Sequence, residues 1–200
     1  MAADEPESGG NPAVGHAALL LAEIERLKIE LTHAEWRIAE LEAHADVDPL
    51  LDILNRRGFD RELARSISYV KRYGTAAALI YIDLDGFKAV NDQYGHAAGD
   101  ALLVAVATQL TGQVRASDIV ARLGGDEFAV LMWNVNETHA LAKARELETA
   151  VASAGTGAGS ARVCVSASAG VVPISGDATP GEVSDAADRA MYARKKERRG

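Results

Sequence analysis

Arg122-Leu123-Gly124-Gly125-Asp126-Glu127-Phe128 lies between two apolar runs, Ile119-Val120-Ala121 before it and Phe128-Ala129-Val130-Leu131-Met132 after it. Both runs have the composition of β-strands. Two glycines between them predict a hairpin, because a tight turn needs residues that accept a positive φ. The acids that follow are unusual in that place. Two carboxylates at the mouth of a hairpin repel each other and add nothing to a core. A divalent cation over the turn accounts for them, and so does a plain solvated polar turn.

Working outward, Ala78-Leu79-Ile80-Tyr81-Ile82 marks a strongly apolar strand predicted from Ala76 to Asp85. It closes on Asp83 and Asp85. Side chains alternate across a strand, so these two point to one face. Paired carboxylates at a strand end, beside a hairpin carrying two more, are how a phosphate-handling site holds Mg²⁺. Helices are predicted from Asn55 to about Tyr73, Ala97 to about Val114, His139 to about Ala152 and Pro180 to Arg199. Pro180 sits near a first turn, where proline is tolerated. Gly155 to Gly159 reads as a small-residue loop, and Arg162 to Ile174 as a strand pair or one bent strand. The order α, β, α, β-hairpin, α, β, α predicts an α/β (α+β) domain. Its sheet is central and mostly antiparallel, with helices packed outside.

Two hundred residues, about half of them apolar, suffice for one domain and an appendage. A net charge of −8 argues against nucleic acid or an anionic membrane as the main partner. The single cysteine, Cys164, excludes an internal disulfide and reads as a buried strand residue. No apolar run approaches the roughly twenty residues of a membrane span, and the acidic start lacks the features of a signal peptide. The expected location is cytoplasmic.

Residues 1–12 hold Pro, Gly, Ser, Asn and acids and read as a disordered tail. Residues 13–47 then read as a helix. Ala17, Leu20, Ile24, Leu27, Leu31, Ala34, Ile38, Leu41 and Ala45 recur at alternating steps of three and four. Such a narrow seam, flanked by Glu, Lys and Arg, predicts a parallel coiled-coil dimer over an amphipathic helix packed on its own domain. Residues 48–200 form the globular domain.

Gly124-Gly125-Asp126-Glu127-Phe128 resembles the signature of the GGDEF family, the diguanylate cyclases, which make cyclic di-GMP from two GTP. The resemblance runs from about Asp48 to the C-terminus. It includes Asn55-Arg56-Arg57, Asp83-Leu84-Asp85-Gly86-Phe87-Lys88, Asn91-Asp92-Gln93-Tyr94-Gly95-His96, Gly99-Asp100 and Ala187-Asp188-Arg189-Ala190-Met191-Tyr192. It implies a fold shared with polymerase palms and nucleotide cyclases. It implies Asp83, Asp126 and the backbone carbonyl of Leu84 as ligands of Mg²⁺ or Mn²⁺. Asp85 is then structural, capping the following turn. Glu127 joins the metal or helps deprotonate the attacking hydroxyl, and Lys88 reaches the phosphates.

Asn91 and Asp100 match the family's guanine-reading pair. An amide offers donor and acceptor, and a carboxylate accepts from N1 and N2 of guanine, a donor pair adenine lacks. Asp92 and Asp100 also lie near predicted helix starts, where caps are common. Lys195 and Arg199 fall on triphosphate-contacting positions. Arg198 stands where the family has Gly, and Gly200 where it has Asn. Near the start of the domain, Leu51 and Asp52 replace the usual Thr and Gly. Arg115-Ala116-Ser117-Asp118 ends five residues ahead of Gly124, the spacing of the family's product-inhibition site. There Arg115 would bond guanine or phosphate, and Asp118 would take guanine donors.

The resemblance therefore implies a homodimeric diguanylate cyclase inhibited by cyclic di-GMP. One domain holds one GTP and the product joins two head to tail, so two sites must face each other. The coiled coil would raise their effective concentration. A module of weakened catalysis acting as a GTP or cyclic di-GMP receptor is the alternative. A purely structural coiled-coil adaptor would leave the acids unexplained.

Overall fold

The computed structural model describes residues 16, 21, 23–33, 36–37, 46–158 and 161–199. The chain divides into two units, Met1–His44 and Ala45–Gly200. In the first, residues 23–33 form helix α1. Ile24, Leu27 and Leu31 of the seam are exposed on it. Arg26 pairs with Glu23 and Glu30 along its flank, each at 2.6 Å. The tail and the seam positions Ala17, Leu20, Ala34, Ile38, Leu41 and Ala45 lie outside the described residues.

The second unit opens on α2 (Arg56–Tyr73), whose N-cap Asn55 accepts from the Gly58 N–H at 3.0 Å. Gly74 ends it in the left-handed conformation, φ 65°, as helix C-caps favour. Then come β1 (Ala77–Asp85), α3 (Phe87–Tyr94) and α4 (His96–Gly112). The hairpin follows as β2 (Ile119–Gly124) and β3 (Glu127–Trp133). After α5 (Glu137–Ser153), the short strands β4 (Thr156–Ala158) and β5 (Ala161–Val163) pair with each other. β6 (Ser166–Pro173) and α6 (Pro180–Arg199) complete the unit.

The main sheet has the order β2-β3-β1-β6, and every neighbouring pair is antiparallel. The expected antiparallel sheet flanked by helices is thus the fold. β1 is apolar from Ala77 to Ile82 because both its faces are covered there. Ala78, Ile80, Ile82 and Leu84 pack with residues of α3, α4 and α5. Ala77, Leu79 and Tyr81 pack with Phe59 and Leu63 of α2 and with Val183 and Met191 of α6. α6 lies very close to β6: a β-carbon on Gly170 would fall 2.1 Å from the Met191 nitrogen.

Several local expectations are corrected. α3 was not expected, because its glycine N-cap makes no side-chain bond and it buries only Phe87 and Val90. Asp92 lies inside α3 and Asp100 inside α4, and neither caps. The loop Gly155 to Gly159 contains β4. Cys164 is exposed between β5 and β6, with Val163 and Val165 turned inward on either side. The Leu51-Asp52 departure keeps its turn, since Asp52 adopts φ 53°, which Asp tolerates. Asp48 holds that turn by accepting from the Leu50 and Leu51 N–H groups at 2.9 and 3.0 Å.

Candidate functional site

The hairpin between β2 and β3 carries the site. Gly124 has φ 148°, a conformation that side chains disfavour strongly, and Gly125 has φ 50°, a left-handed value that favours glycine. Arg122 folds back and donates to the Gly125 carbonyl at 2.8 and 3.0 Å, and pairs with Asp48 at 3.2 Å. The register skips between Arg122 and Gly124, leaving a bulge that aims the acids.

β1 ends beside this turn. Asp83 lies opposite Glu127 on one side and Ser168 on the other. The Leu84 N–H donates to the Asp126 carbonyl at 3.1 Å. The ends of β1 and the hairpin are thereby fixed together, with Asp83, Asp126 and Glu127 on adjoining positions. Lys195 of α6 donates to Asp83, and both side chains are mostly buried, 19% and 14% exposed. Asp85 is structural, but it does not cap the turn after β1. It accepts from Ser166 at 3.2 Å and Ser168 at 3.1 Å on β6, while the N-cap of α3 is Gly86 with no side-chain bond.

Burial raises the Glu127 carboxyl above the ordinary carboxylate range. Arg56 opposes that shift, while the negative charges of Asp83, Asp126 and Asp188 add to it. Arg56 is a residue the reading by roles passed over. It stands in the first turn of α2, donating to the Leu123 carbonyl at 2.8 Å and pairing with Glu127 at 3.4 Å. Its only trace in the sequence is its place in Asn55-Arg56-Arg57. Arg56, Tyr81, Glu127, Ser184 and Asp188 line a cleft of about 300 Å³ beside the hairpin.

Among the described residues, no group of three or more His, Cys, Asp or Glu side chains is arranged to hold a metal ion. A site of two carboxylates and one carbonyl is of a different kind. Mg²⁺ takes one or two carboxylates and fills its shell with phosphate oxygens and water. Asp83 already holds a cation, the Lys195 ammonium. Donor type and charge at this strand end fit a hard divalent ion.

α3 and α4 bring the guanine-reading candidates together. The Asn91 amide lies over Gly99, where a β-carbon would sit 1.9 Å from its Oδ1. Asp100 follows on α4, exposed, and Lys88 is exposed on α3. Arg199 ends α6. Arg115 and Asp118 lie apart from these residues, at the other end of the β2–β3 ladder. Six residues of β2 place them about 20 Å from the hairpin. The Asp118 carboxylate accepts from the backbone N–H of Arg115 at 3.0 Å and of Trp133 at 3.2 Å. Arg115, Asp118, Asn134, His139 and Lys143 line a cleft of about 340 Å³ there.

No helix among the described residues is long and apolar enough to cross a membrane. Residues 45–200 match the family described as "Diguanylate cyclase, GGDEF domain". The chain is 38% identical over 172 residues to the probable diguanylate cyclase DgcE of Escherichia coli, covering 86% of this chain and 16% of that protein. It is 36% identical over 184 residues to the diguanylate cyclase TpbB of Pseudomonas aeruginosa, covering 90% and 41%. It therefore spans less than half the length of either relative. Among solved structures it resembles the coiled coil and GGDEF domain of DgcB from Caulobacter crescentus, in complex with c-di-GMP. That likeness has a TM-score of 0.75 and 26% identity, over 89% of this chain and 95% of the other. The GGDEF domain of TpbB gives a TM-score of 0.70 at 36% identity, over 76% and 89%. With the hairpin, its two glycines and its acids held on an antiparallel sheet, and with the family match over residues 45–200, the chain belongs to the GGDEF family of diguanylate cyclase domains.

Proposed function

We propose that this chain is a diguanylate cyclase that converts two GTP to cyclic di-GMP and two pyrophosphates as a homodimer. The observation that carries the reading is the fixed juncture of β1 and the hairpin, which sets Asp83 and Glu127 opposite each other with Asp126 bonded to Leu84. Asp83, Asp126 and the Leu84 carbonyl would hold Mg²⁺ or Mn²⁺. When bound, the ion lowers the pKa of a ribose 3′-hydroxyl and offsets charge on the α-phosphate under attack. Glu127, opposite Asp83 across the β1–β3 ladder, takes the hydroxyl proton. Lys195, Lys88 and Arg199 hold the phosphates as cations, and Asn91 with Asp100 reads guanine. Pyrophosphate leaves from each GTP as its α-phosphate joins the other's 3′-oxygen.

Each protomer supplies one half-site, and residues 13–47 form the coiled coil that faces two of them. Cyclic di-GMP binding at Arg115 and Asp118 feeds back on the reaction. We place the protein in the cytoplasm.

The test is GTP with Mg²⁺, products resolved by chromatography, wild type beside Asp126→Ala. Cyclic di-GMP from wild type alone supports the cyclase. GTP binding without product in either protein would replace it with a receptor.

A further inference from the structure

Glu148 of α5 has no part in the chemistry above, yet it is more heavily bonded than any acid of the site. Its side chain is 10% exposed. Oε1 accepts the Ala169 N–H of β6 at 3.0 Å. Arg194 of α6 brings Nη2 to Oε2 at 3.3 Å and Nε to Oε1 at 3.4 Å. Arg198 brings Nη1 to Oε1 at 3.8 Å and also donates to the Ala167 carbonyl. Ala167 is the strand partner of Leu84.

Arg194 and Arg198 are four apart, hence on one face of the last turns of α6. Lys195 lies between them in sequence and points to Asp83. The three contacts set both the height and the rotation of that turn. Without them a helix end frays, because its last carbonyls have no helical partners. A carboxylate this buried is tolerated only when charged and hydrogen-bonding partners compensate it, and here they do. Arg198, where the family has Gly, is thus one jaw of the contact.

Accordingly, we propose that Glu148 is a positioning residue, which clamps Arg194 and Arg198 so that Lys195 is held at the site for the GTP phosphates. The proposal rests on the reading of the site as a GTP site. Arg198→Ala removes one jaw, Glu148→Ala removes the anchor, and Glu148→Gln keeps the acceptor without its charge.

Steady-state pyrophosphate release from GTP gives KM and kcat, and amide exchange over residues 191–199 reports the helix end. Glu148→Ala is expected to raise KM for GTP about tenfold with kcat within about twofold, the cost of a misplaced binding group. Arg198→Ala should raise KM about threefold, and Glu148→Gln should recover part of the loss. The double variant should be no worse than Glu148→Ala, because both changes break one network. Exchange at 194–199 should quicken in both alanine variants.

Unchanged KM, or equal falls in kcat and kcat/KM, would overturn the positioning role. Should Glu148→Ala fail to fold, Arg198→Ala, which truncates an exposed side chain, decides alone. Wild type that releases no pyrophosphate would sink the cyclase reading. The exchange arm would still judge the clamp, and unchanged exchange in both variants would overturn it.

Discussion

A β-carbon on Gly99 would fall 1.9 Å from Oδ1 of Asn91 and 3.3 Å from the Phe87 ring. Inside a helix, alanine for glycine normally stabilises by about 0.5–1 kcal/mol. Here that gain is set against a displaced Asn91 amide. Gly99→Ala is expected to raise KM for GTP about tenfold, while Tm moves by only a few degrees. Equal KM in the two proteins would remove Asn91 from the guanine site. The acids were legible in sequence because a strand's period of two places Asp83 and Asp85 on one face. Arg56 was not legible. Its partners, Leu123 and Glu127, lie 67 and 71 residues away, and a contact of that span leaves no periodicity.

At the scale of elements, α6 starts with a reciprocal cap. The Glu182 N–H donates to the Thr179 hydroxyl at 3.3 Å, and the Thr179 N–H donates to Glu182 at 2.8 Å. Thr179→Ala should cost about 1 kcal/mol in chemical denaturation. The Thr179 backbone N–H, and then its hydroxyl, hold the Glu182 carboxyl below the ordinary carboxylate range. A depressed folded pKa gives stability that is full above the unfolded pKa and lost as pH falls through the folded one. The Tm gap between wild type and Glu182→Ala should therefore hold at neutral pH and close as pH falls below the ordinary Glu pKa of about 4.3. A gap unchanged in acid would contradict the bond. Pro180 marked the start of α6 in sequence, as Gly124 and Gly125 marked the hairpin, while the Thr179–Glu182 cap emerged only from the structure. α3 left no such mark, since a glycine begins it and eight residues bury only two side chains. The outward turn of Cys164 was hidden for another reason: alternation is the same whichever phase faces the core.

At the scale of the whole molecule, the proposed reaction joins two nucleotides, and each protomer would supply half of it. Removing residues 1–44 should lower cyclic di-GMP formation per subunit about tenfold or more at submicromolar protein, because the two halves lose their shared effective concentration. Equal specific activity at every dilution would detach the N-terminal helix from catalysis. Of the predicted seam, the described helix carries Ile24, Leu27 and Leu31, all exposed, and the truncation tests whether they pair with a second copy. The central claim is tested most directly by dilution with dead subunits. Wild type is unfolded and refolded together with Asp126→Ala in varied ratio, and cyclic di-GMP is measured. Two facing half-sites predict product falling with the square of the wild-type fraction, to about half per wild-type subunit at equal amounts. Product that stays proportional to the wild-type subunits would mean that each chain works alone, and would contradict the account.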